Sequence, residues 1–156
     1  MKIDIISVGK IKEAYLIDGI KEYVKRLSKY ATISEITLND EPIKDDGLID
    51  SIKKIEGERI LKSINPKAYV IALDLGGEMI TSEGFANKID DIISKENGHI
   101  VFIIGGSLGL SADVLKKANY KLCFSKMTFP HKLFKLMLLE QIYRAFKINN
   151  NETYHK

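Results

Sequence analysis

Cysteine and proline are nearly absent from this 156-residue sequence, tryptophan is missing altogether, and no apolar run is long. Each shortage excludes something. A single cysteine, Cys123, cannot close an internal disulfide. With three scattered histidines it cannot build a Cys/His zinc cluster of familiar spacing, so no metal is expected. The longest nearly uncharged stretches, Tyr69 to Leu73 and Ile100 to Leu110, fall far short of the roughly 20 apolar residues a membrane helix needs. After Met1 and Lys2, Asp4 interrupts what would have to be the apolar core of a signal peptide. No membrane is expected among the partners, and the reading is a reducing, cytoplasmic protein that stays where it is made.

What is present points to a packed fold. Hydrophobic residues make up 45% of the chain and charged residues 29%, enough apolar mass for one domain over 1–156 and too much for disorder. Net charge is only +3, but its distribution is uneven. Residues 116–156 hold nine Lys or Arg against two acids, a balance of +7, whereas residues 1–115 hold 15 against 19, a balance of −4. A polyanion-binding end shows such asymmetry, and so does an ordinary solvated face.

Hydrophobic periodicity divides the chain into alternating elements. Lys2 to Val8 and Thr32 to Leu38 alternate as strands, with a helix over Lys12 to Tyr30 between them. Turn signals at Asn39, Pro42 and Gly47 precede a helix over Leu48 to Ile64, which Pro66 closes. Ala68 to Leu75 reads as a doubly buried strand, and Gly76-Gly77 as its turn into a helix over Ser82 to Ser94. Ile100 to Ile104 ends in Gly105-Gly106-Ser107-Leu108-Gly109; Ser111 then caps a short helix to Ala118, and Tyr120 to Phe124 is a fifth strand. Pro130 starts the last and longest helix, apolar around nearly its whole circumference between Leu133 and Tyr143. Such a helix is either central or shared between subunits, and a homodimer interface is expected. The alternation implies an α/β protein with an open, largely parallel sheet flanked by helices.

Open parallel sheets bind ligands beyond the carboxyl ends of their strands. Three segments converge there: Gly76-Gly77, Gly105 to Gly109, and Phe124 to Phe129. Glycine admits close main-chain approach to a ligand, although tight turns need it too. Gly105 to Gly109 is neither the spaced triple-glycine dinucleotide fingerprint nor a P-loop, so no NAD or clamped phosphate is expected. Ser107 and Ser111 lie in no nucleophile elbow.

Four blocks then carry a resemblance: Ile103 to Gly109, Phe124-Ser125-Lys126-Met127-Thr128-Phe129-Pro130-His131, Leu139 to Ile148, and the ending Tyr154-His155-Lys156. In this order, with the opening Lys2 to Lys10, they closely resemble the ribosomal RNA large subunit methyltransferase H family over the full length. The resemblance implies a SPOUT-class fold with a C-terminal trefoil knot, a homodimer, and methyl transfer from S-adenosylmethionine to N3 of a pseudouridine in large-subunit (23S) ribosomal RNA. It implies cofactor contacts at Leu73, Gly105, Phe124, Ser125, Lys126, Met127, Thr128 and Phe129. Tyr154, His155, Arg144 and His131 become catalytic candidates, in that order. His131 at a helix N-terminus is kept neutral, and is equally read as a capping residue. Arg144 is either the i, i+4 ion-pair partner of Glu140 or an RNA ligand. Lys116, Lys117, Lys126, Lys132 and Lys135 are assigned as a group to RNA phosphates. The alternatives are a non-catalytic RNA-binding or ribosome assembly factor on the same scaffold and, more remotely, a nucleotide-sensing regulatory domain of flavodoxin-like shape.

Overall fold

The structure, a computed structural model, describes residues 1–43 and 48–156. The turn expected at Gly47 lies outside the described residues. Among the described residues five strands and five helices alternate: β1 (Lys2–Val8), α1 (Ala14–Leu27), β2 (Thr32–Leu38), α2 (Ile49–Ser63), β3 (Tyr69–Glu78), α3 (Ser82–Lys95), β4 (His99–Ile104), α4 (Ala112–Lys117), β5 (Tyr120–Leu122) and α5 (His131–Asn149). The strands form one open sheet in the order β2-β1-β4-β3-β5, and every neighbouring pair is parallel. The expected architecture is therefore present.

Both sheet faces are covered because the strands are apolar on both sides. Ile3, Ile5, Ile71, Ile100, Phe102 and Ile104 point toward α1, α3 and α5. The intervening Ile6, Val8, Val70, Ala72, Val101 and Ile103 point toward α2 and α4. On the first face α5 is the central helix, packed between α1 and α3. Its Leu138, Leu139 and Ile142 are fully buried, each contributing roughly 1.5–3 kcal/mol of hydrophobic stabilisation. Packing within one chain thus accounts for much of the apolar circumference that the sequence shows. No helix among the described residues is long and apolar enough to cross a membrane.

Three expectations need correction. Gly76-Gly77 is not a turn after the third strand, since β3 runs through it to Glu78. Leu73 and Glu78 both pair with Leu122 of β5, so residues 74–77 loop out between two pairings with one residue. Gly77 is there for close approach: a Cβ on it would stand 2.7 Å from the Lys121 carbonyl group. Pro130 stands one position before the first turn, as the residue that leads into α5 at His131. Lys135, assigned to RNA phosphate, is 5% exposed and its ammonium lies 2.7 Å from Glu35 Oε1 on β2. A buried ammonium needs a counter-charge, and Glu35 supplies it.

Candidate active site

At the carboxyl ends of β3, β4 and β5 the chain encloses a cleft of about 720 Å³. Leu73, Asp74 and Leu75 line it from the excursion in β3, and Gly105 to Leu110 line it from the turn after β4. Leu122 to Ser125 and Thr128 to His131 close it on the side of α5. Of the expected cofactor residues, Leu73, Gly105, Phe124, Ser125, Thr128 and Phe129 share this cleft. Lys126 and Met127 do not line it, and both are exposed at the tip of the segment.

Local hydrogen bonds set the shape of that segment. The Cys123 amide donates to the Glu78 carbonyl at 3.0 Å, which fastens the exit of β5 to the far end of β3. The Met127 amide donates to Ser125 Oγ at 3.0 Å, turning the chain back toward α5. Phe129 and Phe124 each meet Phe134 edge-on, with ring centres 5.9 Å apart. The cleft is therefore an apolar slot edged by main-chain groups, a form that suits a flat heterocycle with hydrogen-bonding edges.

His131 is the one catalytic candidate in the cleft. Burial holds its imidazole below the ordinary value, and the neighbouring Lys132 ammonium acts in the same direction. Burial, rather than the helix end invoked from sequence, is the main cause. The ring is neutral at pH 7 and can accept a proton.

A second cavity of about 560 Å³ lies across the same segment, between α3 and α5. Leu122 to Ser125 and Phe129 wall both cavities, and Ser82, Glu140 and Gln141 line the second. Beside this cavity, around its lining residue Glu140, Arg144, Tyr154 and His155 come together. Both oxygens of Glu140 are engaged: the Arg144 guanidinium pairs with the carboxylate, the Tyr154 hydroxyl donates to Oε1 at 3.1 Å, and the Gln141 amide donates to Oε2 at 2.9 Å. Arg144 Nη1 is 3.0 Å from His155 Nδ1. A guanidinium can only donate, so Nδ1 accepts, and Nε2 carries the proton that Glu83 receives at 2.7 Å. The Tyr154 ring stands edge-on to Tyr143 with centres 5.0 Å apart, and the Arg144 guanidinium lies 4.8 Å from the Tyr154 centroid.

Electrostatics narrow these roles. Hydrogen bonding to Glu140 raises the Arg144 guanidinium above its ordinary value, so it stays cationic. Burial raises the Tyr154 phenol, with hydrogen bonding to Tyr23 and the Glu140 charge adding to the effect. Tyr154 is thus a proton-bearing donor at neutral pH, not a base.

Comparison with known proteins matches residues 1–155 to a family described as "Predicted SPOUT methyltransferase". The chain belongs to the SPOUT methyltransferase family. Its relatives include proteins named "Ribosomal RNA large subunit methyltransferase H". That of Clostridium botulinum (strain Alaska E43) is 57% identical over 161 residues, that of Clostridium acetobutylicum 54% over 159, and that of Ruminiclostridium cellulolyticum 51% over 159. Each alignment covers all of this chain and all of the relative.

In this SPOUT methyltransferase the expected residues separate into two groups on either side of one wall. Leu73, Gly105, Phe124, Ser125, Thr128, Phe129 and His131 stand on one side, and Arg144, Tyr154 and His155 meet beyond the other. Gln141, Ser82 and Glu83 escaped sequence reasoning. Ser82 Oγ donates to Gln141 Oε1 at 2.9 Å, and Glu83 anchors His155, but 59 and 72 residues separate these partners. Only Glu140 left a trace, through its i, i+4 spacing from Arg144. Among the proposed phosphate ligands, Lys132 lies 3.5 Å from Glu13, while Lys116, Lys117 and Lys126 are exposed.

Proposed function

We propose that this chain transfers a methyl group from S-adenosylmethionine to N3 of a pseudouridine in large-subunit (23S) ribosomal RNA. It works in the cytoplasm as a homodimer of one-domain subunits, each tied in a trefoil knot. The reading is carried by identity above one half, along the whole chain, to proteins named for ribosomal RNA methylation. The cleft supports it chemically, because its volume, apolar walls and main-chain edges fit an adenosyl donor.

Bound there, the donor supplies a methyl group already activated by a positive sulfur. Leu73, Leu122 and Phe129 form the slot for its base, and main-chain groups at Gly105 and Phe124-Ser125 satisfy the base's edge. N3 of the acceptor carries a weakly acidic proton that must leave as the ring becomes nucleophilic. Arg144 stays cationic and offsets the negative charge that grows on the ring. Tyr154 donates a hydrogen bond and presents an aromatic face on which a displaced base stacks. The neutral His131 imidazole is available to take the proton, and His155 helps hold Arg144 in place. Exposed Lys116, Lys117 and Lys126 contribute backbone attraction without reading sequence.

Titration calorimetry with S-adenosylmethionine, followed by mass spectrometry of ribosomal RNA from a deletion strain carrying this gene, tests the proposal. Micromolar binding and restored methylation are expected. Absence of donor binding would favour a non-catalytic RNA-binding or assembly factor.

A further inference from the structure

The C-terminal tail does not trail from α5. It reverses, and the reversal has a specific construction. Asn151 adopts the left-handed conformation at φ 54°. Its amide donates to the Ile148 carbonyl at 3.1 Å, and the next amide, of Glu152, donates to the Lys147 carbonyl at 2.9 Å. These two bonds define the Schellman closure of a helix, with asparagine in the position glycine usually holds. On its own such a closure caps a helix and leaves the following residues free.

Here the side chain after the closure is held as well. Glu152 Oε1 accepts from the Tyr30 hydroxyl at 2.8 Å, and Oε2 lies 2.8 Å from Lys147 Nζ and 3.2 Å from Lys29 Nζ. Three donors, two from the turn after α1 and one from α5, thus meet one carboxylate. Tyr30 is fixed in turn by stacking on Phe146, with centres 5.2 Å apart and planes 6° from parallel. Two residues further on, Tyr154 reaches Glu140 and His155 joins Arg144 to Glu83.

We propose that Glu152 is a positioning residue for methyl transfer: by clamping onto Tyr30, Lys147 and Lys29 it folds the tail back along α5 and sets Tyr154 and His155 against Arg144. It touches neither donor nor acceptor. Its influence passes through the two residues that follow. The inference rests on the function proposed above for its catalytic consequence, and on the hydrogen bonds alone for the clamp itself.

The test compares Glu152→Ala and Glu152→Gln with the unaltered full chain. Exposure of the tail is read by carboxypeptidase release of residues 154–156, followed by mass spectrometry, with thermal melting as a check that the fold persists. Release in Glu152→Ala is expected to quicken at least about tenfold, because cleavage follows the population of the open tail. Glu152→Gln, which keeps an acceptor for Tyr30 but loses the charge, should fall between. Donor affinity by calorimetry should stay within about twofold while kcat on ribosomes from a methylation-deficient strain drops at least tenfold with KM little changed. Unaltered release in Glu152→Ala would overturn the clamp, and a released tail with normal kcat would overturn its role in transfer. Should the unaltered chain move no methyl group, the functional reading fails, and the proteolysis still decides the clamp.

Discussion

The cleft beyond β3 and β4 is built from main chain and apolar side chains, whereas the cluster around the tail, one wall away, is built from formal charges. Gly105, Leu73 and Phe129 hold their places through covalent geometry and packing, which salt and pH scarcely disturb. Arg144, Glu140, His155, Glu83, Lys147 and Glu152 hold theirs through ion pairs and hydrogen bonds that are half-exposed, individually weak and screened by salt. The contrast suits a division of labour. A donor of fixed shape calls for a preformed slot, and a large polyanionic acceptor calls for polar groups that can be rearranged.

The comparison can be broken most forcefully on the packed side. Gly77→Val would push a side chain into the Lys121-Leu122 backbone, at a cost of roughly 1–3 kcal/mol or more. It should lower the melting temperature and weaken donor binding at least about 100-fold by calorimetry; unchanged affinity would mean that the wall tolerates displacement. On the charged side the reverse pattern is expected. Deleting Tyr154 to Lys156 should leave donor affinity within about twofold and reduce methyl transfer at least 100-fold, measured as label incorporated into ribosomes. If the shortened enzyme works at the normal rate, the tail has no part in the chemistry.

A subtler change sharpens the contrast. Glu140→Gln keeps the shape but removes the charge that Arg144 and Tyr154 share, and transfer should fall roughly tenfold with donor affinity unaltered. The smallest effect concerns pH. Hydrogen bonding to Lys147 and Tyr30 holds the Glu152 carboxyl at about 2, below its ordinary 4.5. A depressed carboxyl stabilises the docked tail fully above its ordinary value and loses that contribution as pH falls through the folded value. The Glu152 amide signal in NMR spectra should therefore stay fixed from pH 7 to 5 and shift between about 4.5 and 2. A transition near pH 6 would point to histidine instead.

Local pattern made most of the scaffold legible. Lys2–Val8 and Thr32–Leu38 appear with their expected bounds because alternation and β-branching are properties of the segment itself. Ser111 caps α4, its Oγ accepting from the Val114 amide at 3.3 Å, as its place before the helix foretells. The cleft was legible too, since carboxyl-end loops of a parallel sheet must converge. What escaped depends on partners distant in sequence. Nothing near Gly77 announces that β5 will press on it, nothing near Lys135 announces Glu35, and a tail of Asn150 to Lys156 resembles a frayed end until Tyr30 is brought beneath Glu152.

One feature of the architecture carries further than its size suggests. Leu122 to Ser125 and Phe129 are a party wall, with a tenant's room on each side. On the function proposed above, a donor that stiffens this partition acts on the neighbouring cavity, and linkage then requires an acceptor bound there to act back by the same factor. Donor affinity and acceptor affinity would then shift by one common factor, set by a stretch of chain fewer than ten residues long.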